Sequence, residues 1–170
     1  VPNVVPAFDV DSTSSVWGDA TTIIPWNMYR FYGDAGILEK HYSSMKAWVD
    51  YMTSVNEMAE GKIDGWRRAV HYGDCLALDG DGGTEGVKGG TDDGFIADVY
   101  YRLSAQLTAK TARILGKTED AEKYEALSDN ILKEIRAEYY SPNGRSCVNT
   151  QTGYLLTLRH GLSKDRERTG

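Results

Sequence analysis

Cysteine is nearly missing from this chain: Cys75 and Cys147 are the only two in 170 residues. No His or further Cys stands near either at metal-ligand spacing, so neither a zinc site nor a disulfide framework is indicated, and two buried free thiols are expected. Long apolar runs are missing too. None approaches the ~20 residues needed to cross a bilayer, and the opening Val-Pro-Asn-Val-Val-Pro has neither the basic stretch nor the apolar stretch of a signal peptide. Positive charge is in short supply, with 19 Lys and Arg against 25 Asp and Glu and a formal charge of −6. Such a surface repels phosphate backbones, which excludes the attraction on which nucleic-acid binding mainly rests. No membrane or nucleic-acid partner is expected.

The familiar chemical signatures are equally absent. The chain has no P-loop, nucleophile elbow, zincin helix or Asn-x-Ser/Thr site. Gly80-Asp81-Gly82-Gly83-Thr84-Glu85 lacks the third glycine of a dinucleotide fingerprint and follows no predicted strand. Asp79-Gly80-Asp81-Gly82 fails as a calcium loop, because Thr84 stands where Gly is required and Gly90 where a bidentate Glu belongs. No metal and no cofactor is expected.

What is present is a globular composition of one domain's length, 41% hydrophobic and 26% charged, enough to bury a core. The periodicity is helical. Over residues 17–32, Ala20, Ile23, Ile24, Met28 and Phe31 recur at three- and four-residue steps and predict one buried face. Pro25 should kink this helix or delay its start, Gly33 should close it, and Asp34 should cap the next. That next helix carries Leu38, Tyr42, Met45, Val49 and Met52 as its stripe, widened by Trp48 and Val55. Trp26 and Trp48 lie within helices and are expected in the core.

The pattern then dissolves over residues 59–91, which hold Gly80, Gly82, Gly83, Gly86, Gly89 and Gly90; so long a connection in a compact domain is uncommon unless functional. Order returns at Thr91, an expected N-cap, with Asp92 and Asp93 favourably placed at the positive end of the helix dipole. Ile96, Val99, Leu103, Leu107 and Ile114 mark its buried stripe, which ends at Gly116. Thr118 should cap a further helix with Tyr124, Leu127, Ile131, Ile135 and Tyr139 inside. Pro142-Asn143-Gly144 forms a turn, and a short helix over 152–160 begins a third pair. The fold class is all-α. Long loop, helix, tight turn and helix recur, which points to an array of αα-hairpins or a toroid.

Acid and aromatic rings gather at the loop–helix junctions. Trp17-Gly18-Asp19 precedes the first helix, while Trp66 and His71-Tyr72-Gly73-Asp74 sit in the long loop. From Asp74 to Asp98 there are seven acids, Asp74, Asp79, Asp81, Glu85, Asp92, Asp93 and Asp98, against the single base Lys88. Flat rings suit the C–H face of a sugar, carboxylates accept bonds from its hydroxyls, and paired carboxylates are the tools of glycoside hydrolysis. The candidate ligand-contacting residues are Trp17, Asp19, Trp66, His71, Tyr72 and Asp74. Asp19 is equally suited to capping the first helix, and His71 to a structural hydrogen bond rather than proton transfer.

The run Trp17-Gly18-Asp19-Ala20-Thr21-Thr22-Ile23-Ile24-Pro25-Trp26, followed by Tyr29-Arg30-Phe31-Tyr32-Gly33-Asp34, closely resembles a segment of the bacterial α-L-rhamnosidases of glycoside hydrolase family 78. Tyr42-Ser43-Ser44-Met45-Lys46-Ala47-Trp48-Val49-Asp50-Tyr51, His71-Tyr72-Gly73-Asp74, Leu115-Gly116-Lys117 and Thr150-Gln151-Thr152-Gly153-Tyr154 are similar to successive stretches of that family, in the same order. The resemblance covers essentially the whole chain.

It implies an (α/α)6 toroid of six hairpins, without a metal, that removes terminal α-L-rhamnose from glycosides or polysaccharides by an inverting two-carboxylate mechanism. Hairpins at about 18–58 and 92–140, the loop 59–91 and the start of a third hairpin at 151–170 then belong to one catalytic domain. The family's general acid precedes the Trp-Gly-Asp stretch and its general base follows the Tyr154 region, so no catalytic residue is assigned in this chain. Asp165-Arg166-Glu167-Arg168 echoes the acid motif at the wrong place in the order and reads as a solvated helix start. The resemblance gives Trp17 the role of a ring packing on the sugar and Asp19 that of a hydroxyl acceptor or local brace. It also implies that Tyr72 and Asp74 lie near the subsite. Many members have Trp where Cys75 stands here, which removes one ring.

Val1 in place of Met and a helix start at 163–168 suggest an internal fragment, expected to be inactive alone and to self-associate through uncovered helix faces. The alternatives are a helical-repeat interaction module, disfavoured by the acidic glycine-rich loop, and a carbohydrate-binding module without chemistry.

Overall fold

The first reversal of the chain turns on Gly33. At φ 72° its N–H closes helix α1 (Ala20–Tyr32) on the Tyr29 carbonyl, and Asp34 accepts from the Gly36 N–H at 2.8 Å to start α2 (Gly36–Met58). The computed structural model describes residues 13–58, 65–75, 77 and 89–163. The glycine-rich stretch from Gly80 to Gly86, with Asp79, Asp81 and Glu85, and the 164–168 helix start lie outside the described residues.

Helix α1 runs through Pro25 as one element, and its buried face is not the expected one. Thr22 and Pro25 point inward, whereas Ile24 is 59% and Phe31 83% exposed, with Met28 exposed between them. Polar contacts decide the orientation: the Thr22 hydroxyl meets that of Ser104 at 2.8 Å, which turns the apolar stripe outward. In α2 the expected stripe is buried, from Leu38 through Tyr42, Met45, Val49 and Met52, together with Trp48.

The second hairpin is α3 (Asp93–Ile114) and α4 (Thr118–Tyr139). Its caps differ from expectation. Asp92 caps α3 by accepting from the Phe95 N–H at 2.7 Å, because the Thr91 hydroxyl is engaged with Asp74 and Thr150. Lys117 holds the cap position of α4 without a side-chain bond, and Thr118 is the first helical residue. Helix α3 is buried around most of its girth, although Leu103 is half-buried and Ile114, at its end, is 39% exposed. Tyr124, Ile131, Ile135 and Tyr139 of α4 are buried against it, with Leu127 partly so. Ser141 and Gly144 make the turn, and α5 (Gln151–His160) starts at Thr150, whose hydroxyl accepts from the Gly153 N–H at 3.0 Å. Among the described residues there is no strand, and Tyr140 and Ser146 form an isolated bridge.

The side-chain register shows two layers. Asp19 and Thr22 meet Ser104, and Lys110 lies over the Trp26 ring further along, so α1 and α3 run the same way. Thr91 pairs with Thr150 and Arg102 with the His160 carbonyl, so α5 runs with them. In the second layer Tyr42 and Lys46 bond Asp120, and Asp50 bonds Lys123 and Tyr124, so α2 and α4 are parallel to each other. Because Asp19 at the start of α1 is level with Ser104, α3 begins about three turns above α1. Residues 13–18 and 65–75 fill that step. Both cysteines are free and exposed, not buried as expected. No helix among the described residues is long and apolar enough to span a membrane.

Candidate functional site

The step above α1 carries the candidate residues, and its geometry starts from a strained backbone. Val16 has φ 71°, a left-handed conformation that a β-branched residue adopts only under constraint, at a cost of about 1–3 kcal/mol. The constraint is Asp19, whose Oδ2 accepts from the Val16 N–H at 2.7 Å. Its Oδ1 accepts from Trp48 Nε1 at 2.8 Å and from the Ser104 hydroxyl at 2.6 Å. Asp19 has no exposed surface. Burial pushes its carboxyl above the ordinary value, opposed by the donors on Ser104, Trp48 and Val16. Gly18 is required beside it, since a Cβ there would lie 2.3 Å from the Trp48 ring. This buried brace turns Trp17 outward, 45% exposed, with its ring 5.9 Å from that of Tyr72 at an interplanar angle of 71°.

Tyr72, 49% exposed, comes from the other side of the step, and His71 ties the two sides together. The Ser15 N–H donates to His71 Nδ1 at 3.1 Å, so Nε2 carries the proton and donates to the Trp66 carbonyl at 2.7 Å. The ring is therefore neutral and structurally committed. Burial lowers its pKa, opposed by the Trp66 carbonyl and by the charges of Asp93 and Asp19. A lowered folded-state value means that the unfolded chain takes up the proton first. The bridge thus stabilises fully above the ordinary value of ~6.5 and loses that contribution as pH falls below it. The gap in thermal midpoint between the wild-type chain and His71→Gln should accordingly shrink from pH 8 to pH 5. A gap that stays constant over this range would show that burial does not hold the ring neutral.

Behind Tyr72, Gly73 adopts φ 56° and passes so close to α3 that a Cβ would meet the Asp93 carboxylate. Asp74 is half-buried; its Oδ2 accepts from the Thr91 hydroxyl at 2.7 Å, and Thr91 Oγ1 lies 2.7 Å from Thr150 Oγ1. The loop is thereby tied to the residues that lead into α3 and α5.

Of the six candidate residues, Trp17 and Tyr72 share an open surface, while His71 and Asp74 support it. Asp19 and Trp66 lie beneath. Trp66, expected to face a ligand from its loop, is 1% exposed and packs edge-on against Trp48 and Tyr51 with centroids 5.6 and 6.0 Å away. Trp48 is in the core as expected, whereas Trp26 is half-buried. Asp98 does not belong to the acidic loop: it is buried within α3, its Oδ2 accepting from Arg67 Nε at 2.6 Å. Burial pushes it up to about 7 against the pull of Arg67. Neither Arg67 nor the strained Val16 carries a sequence signal that marks it. Among the described residues no group of three His, Cys, Asp or Glu could hold a metal.

The family model described as the bacterial alpha-L-rhamnosidase six-hairpin glycosidase domain matches residues 1–170. The chain belongs to the bacterial α-L-rhamnosidase family. Among curated relatives it is 38% identical over 171 residues to an α-L-rhamnosidase of Alteromonas sp. (strain LOR), covering 98% of this chain and 18% of that one. The α-L-rhamnosidase of Streptomyces avermitilis, solved in complex with L-rhamnose, superposes with a TM-score of 0.78 at 30% identity over 98% of this chain and 15% of its own. That of Aspergillus terreus gives 0.79 at 27% identity, over 99% and 19% respectively. The chain thus spans under a fifth of the length of each of these relatives.

Proposed function

We propose that these residues form one wall of a sugar pocket in a glycosidase that releases terminal α-L-rhamnose from glycosides or polysaccharides, with inversion at the anomeric carbon. The paired rings of Trp17 and Tyr72 on their braced platform carry this reading. Ring faces cover the C–H side of a sugar, and Asp74 stands half-buried behind them within reach of a hydroxyl-bonding network through Thr91 and Thr150. Family membership, and the rhamnose held by the Streptomyces avermitilis relative, support rhamnose as the sugar.

Inversion requires a carboxylic acid that protonates the leaving oxygen and a carboxylate ~6.5–9.5 Å from it that activates water on the opposite face. Neither is assigned to this wall, and on this proposal both come from other parts of the polypeptide. Trp17 contributes binding common to ground and transition states, and its loss should therefore act on KM. In the whole polypeptide that carries these residues, Trp17→Ala is expected to raise KM for an aryl α-L-rhamnoside about tenfold, the equivalent of ~1.4 kcal/mol of contact, with a smaller change in kcat. An unchanged KM would remove Trp17 from the sugar's seat.

A further inference from the structure

Arg67 stands five residues before Tyr72 in the same loop, but its side chain runs the other way, into a slot between α3 and α4. Its Nε donates to Asp98 at 2.6 Å, and Nη1 lies 3.5 Å from Glu138. The guanidinium is 5.4 Å from the centroid of the Tyr139 ring. The slot is cut to this side chain. At Gly94 a Cβ would come within 2.4 Å of Arg67 Cγ and 3.2 Å of its carbonyl oxygen, so only glycine admits the aliphatic stem.

Stability alone is a poor explanation for the pair. Asp98 is 1% exposed, and its Oδ1 is buried with no hydrogen-bond partner among the described residues. Burying a charge so incompletely satisfied is costly, and apolar residues of similar volume often replace such pairs without loss. What the pair does supply is register. Arg67 is held at three points, and on one side of it Trp66 enters the core while on the other the chain rises to His71, which bonds Ser15, and to Tyr72, which meets Trp17. A slip of one residue in this loop would carry Tyr72 away from Trp17.

We propose that Arg67 and Asp98 are positioning residues that seat Tyr72 opposite Trp17 and so set the width of the pocket wall. The consequence for catalysis rests on the rhamnosidase reading above, whereas the seating of the loop does not. A positioning role falls on substrate binding, and it is local.

In the whole polypeptide, Asp98→Asn keeps the shape and removes the charge. It is expected to raise KM for an aryl α-L-rhamnoside about fivefold, with kcat within about twofold of wild type. Hydrogen exchange should show amides 66–74 losing protection while those of α3 and α4 keep theirs. Arg67→Met, which leaves an apolar stem in the slot, should reproduce both effects. An unchanged KM overturns the proposal; so does protection lost equally along α3 and α4, or failure of both variants to fold, since each makes the pair a general stability element. Absence of rhamnoside hydrolysis by the wild type, with selective loss of loop protection in Asp98→Asn, would instead overturn the rhamnosidase reading and leave the seating intact.

Discussion

Asp19→Ala is expected to destabilise the fold by about 4 kcal/mol, because it strips three donors, two of them buried, of their acceptor at costs of ~1–3 kcal/mol each, partly offset by relaxation. The donors are the Val16 N–H, the Trp48 indole N–H and the Ser104 hydroxyl, from three separate parts of the chain. The effect should exceed that of an ordinary core truncation in one respect. Val16 is held in a left-handed conformation against its own sterics, and without the Asp19 carboxylate that strain has no counterweight. The turn bearing Trp17 should then relax, and the Trp17–Tyr72 pair should separate. Asp19→Asn should cost less, since its carbonyl can still accept from Trp48 and Ser104 while its amide confronts the Val16 N–H. Urea denaturation orders the three proteins directly. An alanine variant within about 1 kcal/mol of wild type would show that Asp19 does not brace the turn.

The same residue shows where reading a sequence reaches its end. Trp17-Gly18-Asp19 draws attention as a motif, but side-chain type does not distinguish a carboxylate that meets a ligand from one that holds the motif in place. The distinction lies in Ser104, 85 positions away, and in Trp48. Helix α2 was legible because its partners are apolar and its stripe is simply the side that faces them. Helix α1 was not. Its docking contact is a pair of hydroxyls, Thr22 on Ser104, and such a contact leaves no hydrophobic period, so Ile24, Met28 and Phe31 looked inward on paper and point outward in space. Turn chemistry transferred well where glycine was decisive, as at Gly33 and Gly144, both at positive φ. The caps of α3 and α4 slipped because Thr91 is claimed by a tertiary bond and Thr118 is already inside its helix. The Arg67–Asp98 pair spans 31 positions and is set by a glycine in a helix, a combination with no periodic trace.

The outward faces lead to the second large effect. Prepared as these 170 residues alone, the chain is expected to hydrolyse aryl α-L-rhamnosides at least ~10⁶-fold more slowly than the whole polypeptide, which amounts to forfeiting the catalytic contribution altogether. Two carboxylates must face the anomeric carbon from opposite sides. Four carboxylates among the described residues of the wall are otherwise engaged: Asp19 receives three donors, Asp74 receives Thr91, Asp92 caps α3 and receives Tyr139, and Asp98 holds Arg67. None of them is left to work as a proton donor set against a water activator. The same preparation should self-associate. Ile24, Met28 and Phe31 on α1, and Leu155 and Leu158 on α5, present apolar faces at the two edges of the described helices, and water penalises leaving them uncovered. Sedimentation and a rhamnoside assay on one sample test both consequences. Turnover by a monomeric species would mean that the acid and base lie within this wall after all, and that its outer faces need no partner.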